Sequence, residues 1–173
     1  MSTVIALIFS SVAAGLIATF VMVLFQYLPL LWSGNYFDIL GALGSWRTKV
    51  LDARSRLIGA LLYFAGGMVF ALLYGILVLG IRANSASLYG NYVVTIPGLP
   101  VEVNLVYPLL GIAMGLGHGV IVALVMTVLV SSHPIEYFHT RFILVISQLI
   151  GHVVFGMVVM FFQSQFLQLL LSI

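Results

Sequence analysis

The sequence alternates long apolar runs with short polar segments, and the runs predict the architecture. Four runs contain no Asp, Glu, Lys or Arg in their interiors, at about residues 4–31, 57–81, 106–130 and 142–171. An α-helix needs about 20 apolar residues to cross the hydrocarbon core of a bilayer, and each run reaches that length. The pattern predicts an all-α membrane protein, in which residues 1–173 form one domain built as a bundle of four transmembrane helices.

The composition excludes a water-soluble domain. Only 6% of the residues are charged and 63% are hydrophobic, whereas a soluble domain carries about 25% charged residues. The net charge of +2 gives no basis for nucleic-acid binding. The chain has no Cys, so thiolate chemistry and thiolate metal sites are excluded. The lipid bilayer is therefore the expected partner.

The basic residues predict an orientation. Five of the six Lys and Arg residues lie in the segments 33–56 and 131–141, and only Arg82 lies elsewhere. Basic residues favour the cytoplasmic side of a membrane. We therefore expect segments 33–56 and 131–141 to be cytoplasmic, with both termini and loop 82–105 outside.

Loop 82–105 has the pattern of a short external β-hairpin. Residues 92–96 and 101–104 favour strands, and Pro97-Gly98 between them favours a turn. A lone hairpin is marginally stable in water, and this one carries Val and Ile. It would cover the mouth of the bundle, lie on the membrane, or contact another membrane protein subunit.

Each apolar run also carries a stripe of small or polar residues at helical spacing. Such stripes mark contacts between transmembrane helices, because lipid provides no hydrophobic drive for helix association and close backbone approach must supply it. The glycines that we expect at these contacts are Gly15, Gly67, Gly111, Gly115, Gly119 and Gly156.

Two helical hairpins look alike in sequence. Residues 15–22 align with residues 119–126, and residues 63–69 align with residues 152–158. A duplicated hairpin, related by an axis along the membrane normal, would give this pattern. Chance recurrence of Gly, Val and Met in apolar helices would give it as well.

Several short motifs resemble those of one family. They are Gly15-x-x-Ala18-Thr19-x-x-Met22, Asp38-Ile39-x-x-x-Leu43-Gly44, Gly67-x-x-x-Ala71-x-x-Tyr74 and Gly151-His152-x-x-Phe155-Gly156. In this order they resemble a family of small uncharacterised bacterial four-helix integral membrane proteins. The resemblance implies the fold and a bacterial cytoplasmic (inner) membrane, but it implies no activity. Tyr63 stands where the resemblance would lead us to expect a His.

His118 and His152 are the candidate cofactor-binding residues. They lie about 18 and 15 Å from the cytoplasmic ends of their helices, at 1.5 Å per residue, so we expect them to face each other at similar depth. Two such imidazoles could ligate a haem iron, or each could bind a chlorophyll magnesium. The alternative is a pair of packed neutral imidazoles that donate hydrogen bonds to a carbonyl, Tyr63 or Gln148.

Two cytoplasmic segments need no ligand to explain them. His133-x-x-Glu136-x-x-His139 has the residue types of a metal site, but its spacing spreads them around a helix and a helix start after Pro134 explains it better. We expect no metal there. Residues 38–44 favour a short re-entrant or interfacial helix, and the nearby basic residues are explained by topology and anionic lipid head groups.

The sequence contains no arrangement typical of an enzyme. It has no intramembrane carboxylate pair, no Ser-His or Cys-His spacing and no phosphate-binding glycine loop. The interpretation is a non-enzymatic accessory or structural subunit of a larger bacterial membrane complex, respiratory or photosynthetic. The alternatives are a haem- or chlorophyll-binding bundle that uses His118 and His152, and a small facilitator for a neutral solute.

Overall fold

The structure is a computed structural model that describes residues 2–31, 36, 38–84, 92–95, 102–139 and 143–172. These residues contain five α-helices, namely α1 (Thr3–Tyr27), α2 (Ile39–Thr48), α3 (Ala53–Asn84), α4 (Val106–Ser131) and α5 (Ile143–Leu171). Short 3-10 helices cover Leu28–Leu31 and Glu136–Phe138, and two strands are β1 (Val93–Thr95) and β2 (Glu102–Asn104). Helices α1, α3, α4 and α5 are long and apolar enough to cross a membrane. The all-α class is confirmed.

The end of α1 follows from a proline. The α-helix ends at Tyr27 and continues as the 3-10 turn Leu28–Leu31, which contains Pro29. Because proline lacks an N–H and its ring clashes with the preceding turn, an α-helix rarely runs through it. The α-helical part of α1 therefore ends two residues before Pro29.

Helix α2 is short and packs tightly on the start of α3. The Asp38 carboxylate accepts a hydrogen bond from the Gly41 N–H at 2.8 Å, which caps the helix. Lys49 ends it in the left-handed region, at φ 61°. Gly44 and Gly59 let the two helices touch, because a Cβ on either would overlap a carbonyl group of the other helix.

The four long helices contact one another unequally. Helix α1 packs against both α3 and α5, and α5 packs most extensively against α4 and to a lesser extent against α3. Helices α3 and α4 do not pack backbone to backbone along their described lengths. The helices therefore follow one another in the order α3, α1, α5, α4, and the first and the last approach each other through side chains such as Phe70 and His118.

The glycines named from the sequence lie at these contacts. A Cβ on Gly115 would meet the backbone of His152, and one on Gly119 would meet the His152 side chain. A Cβ on Gly15 would lie 2.9 Å from the Met68 Cα, and one on Gly67 would strike the Thr19 hydroxyl. Further along the α4–α5 contact, the backbones of Gly111 and Gly156 face each other.

The two helical hairpins pack differently from each other. If a twofold axis related them, the α3–α4 contact would match the α1–α5 contact, but the first is sparse and the second is extensive. The contact register also differs, because Gly15 meets residues next to Gly67 whereas Gly156 meets Gly111 instead of Gly119. The duplication stays a prediction from the sequence, and any original symmetry is not visible in these contacts.

The two strands form the antiparallel pair expected in loop 82–105. Val94 pairs with Val103, and Val93 pairs with Asn104. The Pro97-Gly98 turn lies outside the described residues. The Gln165 side-chain nitrogen donates to the Glu102 carbonyl at 3.2 Å, so the hairpin is joined to the C-terminal part of α5.

Candidate functional site: a cavity between helices α3 and α4

A cavity of about 210 Å³ occupies the gap between α3 and α4. Helices α1 and α5 also contribute lining residues, and α2 lines one end through Ile39 and Leu43. Its walls are mostly aliphatic and aromatic. The lining residues are Thr19, Met22, Ile39, Leu43, Leu62, Tyr63, Gly66, Gly67, Phe70, His118, Val122, Met126, Gln148, His152 and Phe155.

The structure brings His118 and His152 together in this cavity. Their ring centroids are 4.6 Å apart and the rings meet edge to face, at 81°. The His152 Nδ1–H donates to the Gln148 carbonyl oxygen at 2.7 Å, so in the neutral ring Nε2 is an acceptor. His118 packs on Phe70 with a centroid distance of 3.8 Å. Neither nitrogen of His118 has a hydrogen-bond partner among the described residues.

This arrangement does not fit a haem between the two histidines. Two axial imidazoles, each bonded to iron at about 2 Å from opposite faces, would hold their ring centroids about 6 Å apart with a porphyrin in between. Here the two rings touch each other. The cavity is also small for a macrocycle, since a cavity of about 150 Å³ holds one benzene molecule. The same size argument applies to chlorophyll.

A polar network crosses the bundle beside the histidines. The Tyr63 hydroxyl lies 3.1 Å from the side-chain oxygen of Gln26 and 3.3 Å from that of Gln148, and it donates its proton to this pair of oxygens. The Gln148 side chain is only 1% exposed, yet its Nε2 has no partner among the residues described. The network thus leaves a buried N–H donor on a residue that lines the cavity.

Thr19 of α1 adds a second such group. Its side chain is 2% exposed, and no described residue forms a hydrogen bond with its hydroxyl. A threonine inside a helix often donates to the carbonyl four residues earlier, as Thr127 does to Ala123 at 2.9 Å. The Thr19 hydroxyl instead lies against Gly67 at the cavity wall.

A second polar cluster, formed by Ser10, Ser11 and Gln163, has its hydrogen bonds largely satisfied within the protein. The Gln163 Nε2 donates to the hydroxyls of Ser10 (2.8 Å) and Ser11 (3.1 Å), and each hydroxyl donates in turn to a carbonyl of its own helix. These residues lie outside the cavity. Their arrangement joins α1 to α5.

The two histidines of the His133-x-x-Glu136-x-x-His139 motif form hydrogen bonds to backbone groups of the protein. The His133 Nδ1 accepts from the Ile135 N–H at 3.0 Å, and Nε2 donates to the Ala42 carbonyl at 3.0 Å. The His139 Nε2 donates to the His133 carbonyl at 2.6 Å. Glu136 begins the 3-10 turn. Within the described part of the chain, no group of three or more His, Cys, Asp or Glu residues could hold a metal.

Asp38 has a structural role that the sequence reasoning missed. Its buried carboxylate accepts from the Tyr27 hydroxyl at 2.9 Å and from the Arg56 Nε at 2.6 Å, in addition to capping α2. It thereby joins α1, α2 and α3 at the end of the cavity. An Asp just before an apolar segment is typical of a helix cap. Its hydrogen bonds to residues 11 and 18 positions away have no local pattern in the sequence that would predict them.

Comparison with known proteins adds no relative. No family model, no curated protein and no solved structure matches the chain. The interpretation of the cavity therefore depends on its own geometry.

Proposed function

We propose that the four long helices cross a bacterial cytoplasmic membrane as one bundle, with segments 33–56 and 131–141 in the cytoplasm. The contact between these two segments supports the proposal. His133 donates to the Ala42 carbonyl, and its ring lies against Trp46 at a centroid distance of 5.4 Å. Both segments therefore lie at the same end of the bundle, as the distribution of basic residues requires.

Within this bundle, the cavity between α3 and α4 binds a small lipid-soluble molecule. The observation that carries this proposal is a cavity of about 210 Å³ whose walls are mostly aliphatic and aromatic. The unpartnered polar atoms of Thr19, His118 and Gln148 are covered by the protein, so a ligand would not reach them. A small apolar molecule would fill the space and contact its walls.

The cavity opens toward lipid on the side of the bundle. Leu62 lines it and is 53% exposed, so it forms part of the rim. Gly66 lies one turn away on α3, and a Cβ added there would meet nothing within 4 Å. A ligand dissolved in the bilayer can thus enter between α3 and α4 without crossing water.

Gly66→Phe tests this function, because the new ring would occupy the rim of the cavity. We expect the full chain in phosphatidylcholine nanodiscs to give a bound fluorine NMR resonance with para-fluorobutylbenzene, and Gly66→Phe to lose it. Gly80→Phe is the matched control, since Gly80 lies on the same helix, also has nothing within 4 Å of its Cβ position, and does not line the cavity. A bound resonance that survives in Gly66→Phe would contradict the proposed site.

The chain acts as a non-enzymatic accessory subunit of a larger membrane complex, and strand β1 favours this role. Tyr92, Val93 and Val94 are exposed, although they lie beyond the membrane-spanning part of the chain. Within the described residues, β1 pairs only with β2. Its other edge and its apolar side chains are therefore suited to contact with another subunit.

A further inference from the structure

We infer that the ligand of the cavity is a neutral single-ring alcohol of the phenol class, whose hydroxyl donates a hydrogen bond to Nε2 of His152. This inference rests on the proposed function, because it names the chemistry of the molecule that the cavity binds. The apolar part of the ligand would lie against the aliphatic and aromatic walls.

Nε2 of His152 is a hydrogen-bonding atom that the protein does not cover. His152 lines the cavity and is 7% exposed. No described residue forms a hydrogen bond with its Nε2, and this nitrogen is not among the unpartnered atoms that the protein covers, which include both ring nitrogens of His118. Nε2 of His152 therefore keeps a surface of its own, unlike the unpartnered groups of Gln148 and Thr19. Because His152 lines the cavity, a ligand there can reach this atom.

The surroundings of His152 make Nε2 an acceptor. A carbonyl oxygen can only accept, so the 2.7 Å contact between Nδ1 and the Gln148 carbonyl places the ring proton on Nδ1. No Asp or Glu is among the described residues that line the cavity, so a second ring proton would create an unpaired buried charge. The ring is therefore neutral and Nε2 presents a lone pair. The adjacent His118 ring does not donate to it, since neither nitrogen of that ring has a described partner.

A buried acceptor selects a ligand that brings a neutral donor. Ethers, esters and ketones offer only acceptor atoms and hydrocarbons offer none, so each of them would leave Nε2 of His152 unsatisfied. An ammonium group could donate, but no acidic residue on the described walls would pair with its charge, and burying an unpaired charge is far more costly. A hydroxyl donates without carrying a charge, so an alcohol or a phenol suits this site.

The walls favour a hydroxyl that is carried by a flat ring. Phe70 and Phe155 both line the cavity, and their ring centroids lie 3.8 and 6.3 Å from that of His118. Such rings stack on a planar ligand or meet its edge. A cavity of about 150 Å³ accommodates benzene, so a cavity of about 210 Å³ accommodates one ring with a hydroxyl and a short substituent. A phenol is also more acidic than an aliphatic alcohol, which makes its hydroxyl the better donor.

Competition between matched compounds tests the ligand class. In para-butyltoluene a methyl group of similar size replaces the hydroxyl of para-butylphenol, and para-butylanisole keeps the oxygen but cannot donate. With the full chain in phosphatidylcholine nanodiscs, we expect para-butylphenol to displace para-fluorobutylbenzene at about fivefold lower concentration in the bilayer than either of the other two compounds. Displacement at equal concentrations by para-butylphenol and para-butyltoluene would overturn the inference.

His152→Phe removes the acceptor and keeps an aromatic ring at this position. We expect the ratio between para-butyltoluene and para-butylphenol to fall from about five to about one, and the ratio cancels any general change in affinity. His118→Phe is the comparison variant, because it removes the neighbouring imidazole, whose two nitrogens the protein covers. This second variant should keep the ratio of the wild-type chain. A ratio that falls in His118→Phe and persists in His152→Phe would overturn the assignment of the acceptor.

Nitrogen NMR of the wild-type chain gives a readout that needs no substitution. With isotope-labelled histidine nitrogens, a hydrogen bond from the ligand should move the resonance of an unprotonated Nε2 upfield. His152 is distinct from His133 and His139, because these two residues donate from Nε2. We expect para-butylphenol to move this resonance and para-butyltoluene to leave it in place. A resonance that para-butylphenol does not move would overturn the inference, even if His152→Phe fails to fold.

The outcomes separate the two proposals. If the wild-type chain shows no bound resonance with para-fluorobutylbenzene, the proposed function fails and the inference fails with it. If the probe binds but para-butylphenol has no advantage, or the advantage survives in His152→Phe, only the phenol assignment fails and the cavity binds apolar molecules in general.

Discussion

Replacing Gly115 by Leu tests the contact that positions His152. A Cβ on Gly115 would overlap the His152 carbonyl oxygen and would lie 2.9 Å from the Val153 Cα. Both are backbone atoms of α5, so a change of rotamer cannot relieve the overlap and the helices must move apart. Overpacking a buried site typically costs about 1–3 kcal/mol. Because Leu adds three carbons beyond a Cβ that already does not fit, we expect a loss of about 3 kcal/mol or more.

Gly117→Leu is the matched control for this loss. Gly117 lies on the same helix two residues away, and a Cβ there would meet nothing within 4 Å. Both variants gain the same helix propensity, so their difference isolates the contact. Thermal unfolding followed by circular dichroism in detergent should give Gly115→Leu a midpoint about 6–12 °C below that of Gly117→Leu. Equal midpoints would refute the assignment of this face to the α4–α5 contact.

Two further predictions concern the surroundings of the bundle. Because the chain has no native Cys, a cysteine at the exposed position Val50 or Asn84 can be labelled alone with a membrane-impermeant maleimide. We expect Asn84→Cys to react in intact cells and Val50→Cys to react only after permeabilisation, and the reverse pattern would contradict the orientation. A photocrosslinking residue at Val94 should give one discrete crosslinked species in native membranes while the same residue at Leu169, which is exposed on α5, should not. Equal patterns at the two sites would contradict docking through β1.

The long helices could be predicted from the sequence because their signal is local. Helix α4 covers Val106–Ser131, against the expected 106–130. Helix α3 runs from Ala53 to Asn84 and is longer than the expected 57–81. Its ends carry Arg54, Arg56 and Asn84, which form helix but do not continue the apolar run. The stripes of small and polar residues also predicted that His118 and His152 face the same interior, because each stripe marks one face of a helix.

The cavity itself could not be predicted, because stripes show which face of a helix is buried but not which helices touch. The structure shows that α1 and α5 pack closely together, whereas α3 and α4 have only sparse contact. No local pattern in the sequence predicts that Ile39 and Leu43 of the short helix α2 line one end of the cavity. That placement depends on Asp38 and its hydrogen bonds to Tyr27 and Arg56, which are tertiary contacts.

We propose that the space between α3 and α4 is a binding site entered from the bilayer. Fluorine NMR of para-fluorobutylbenzene with the full chain in nanodiscs measures this directly, with Gly66→Phe and Gly80→Phe compared under the same conditions. We expect a bound resonance for the wild-type chain and for Gly80→Phe, and none for Gly66→Phe. A wild-type chain without a bound resonance, or a Gly66→Phe variant that keeps it, would contradict a binding site between these helices.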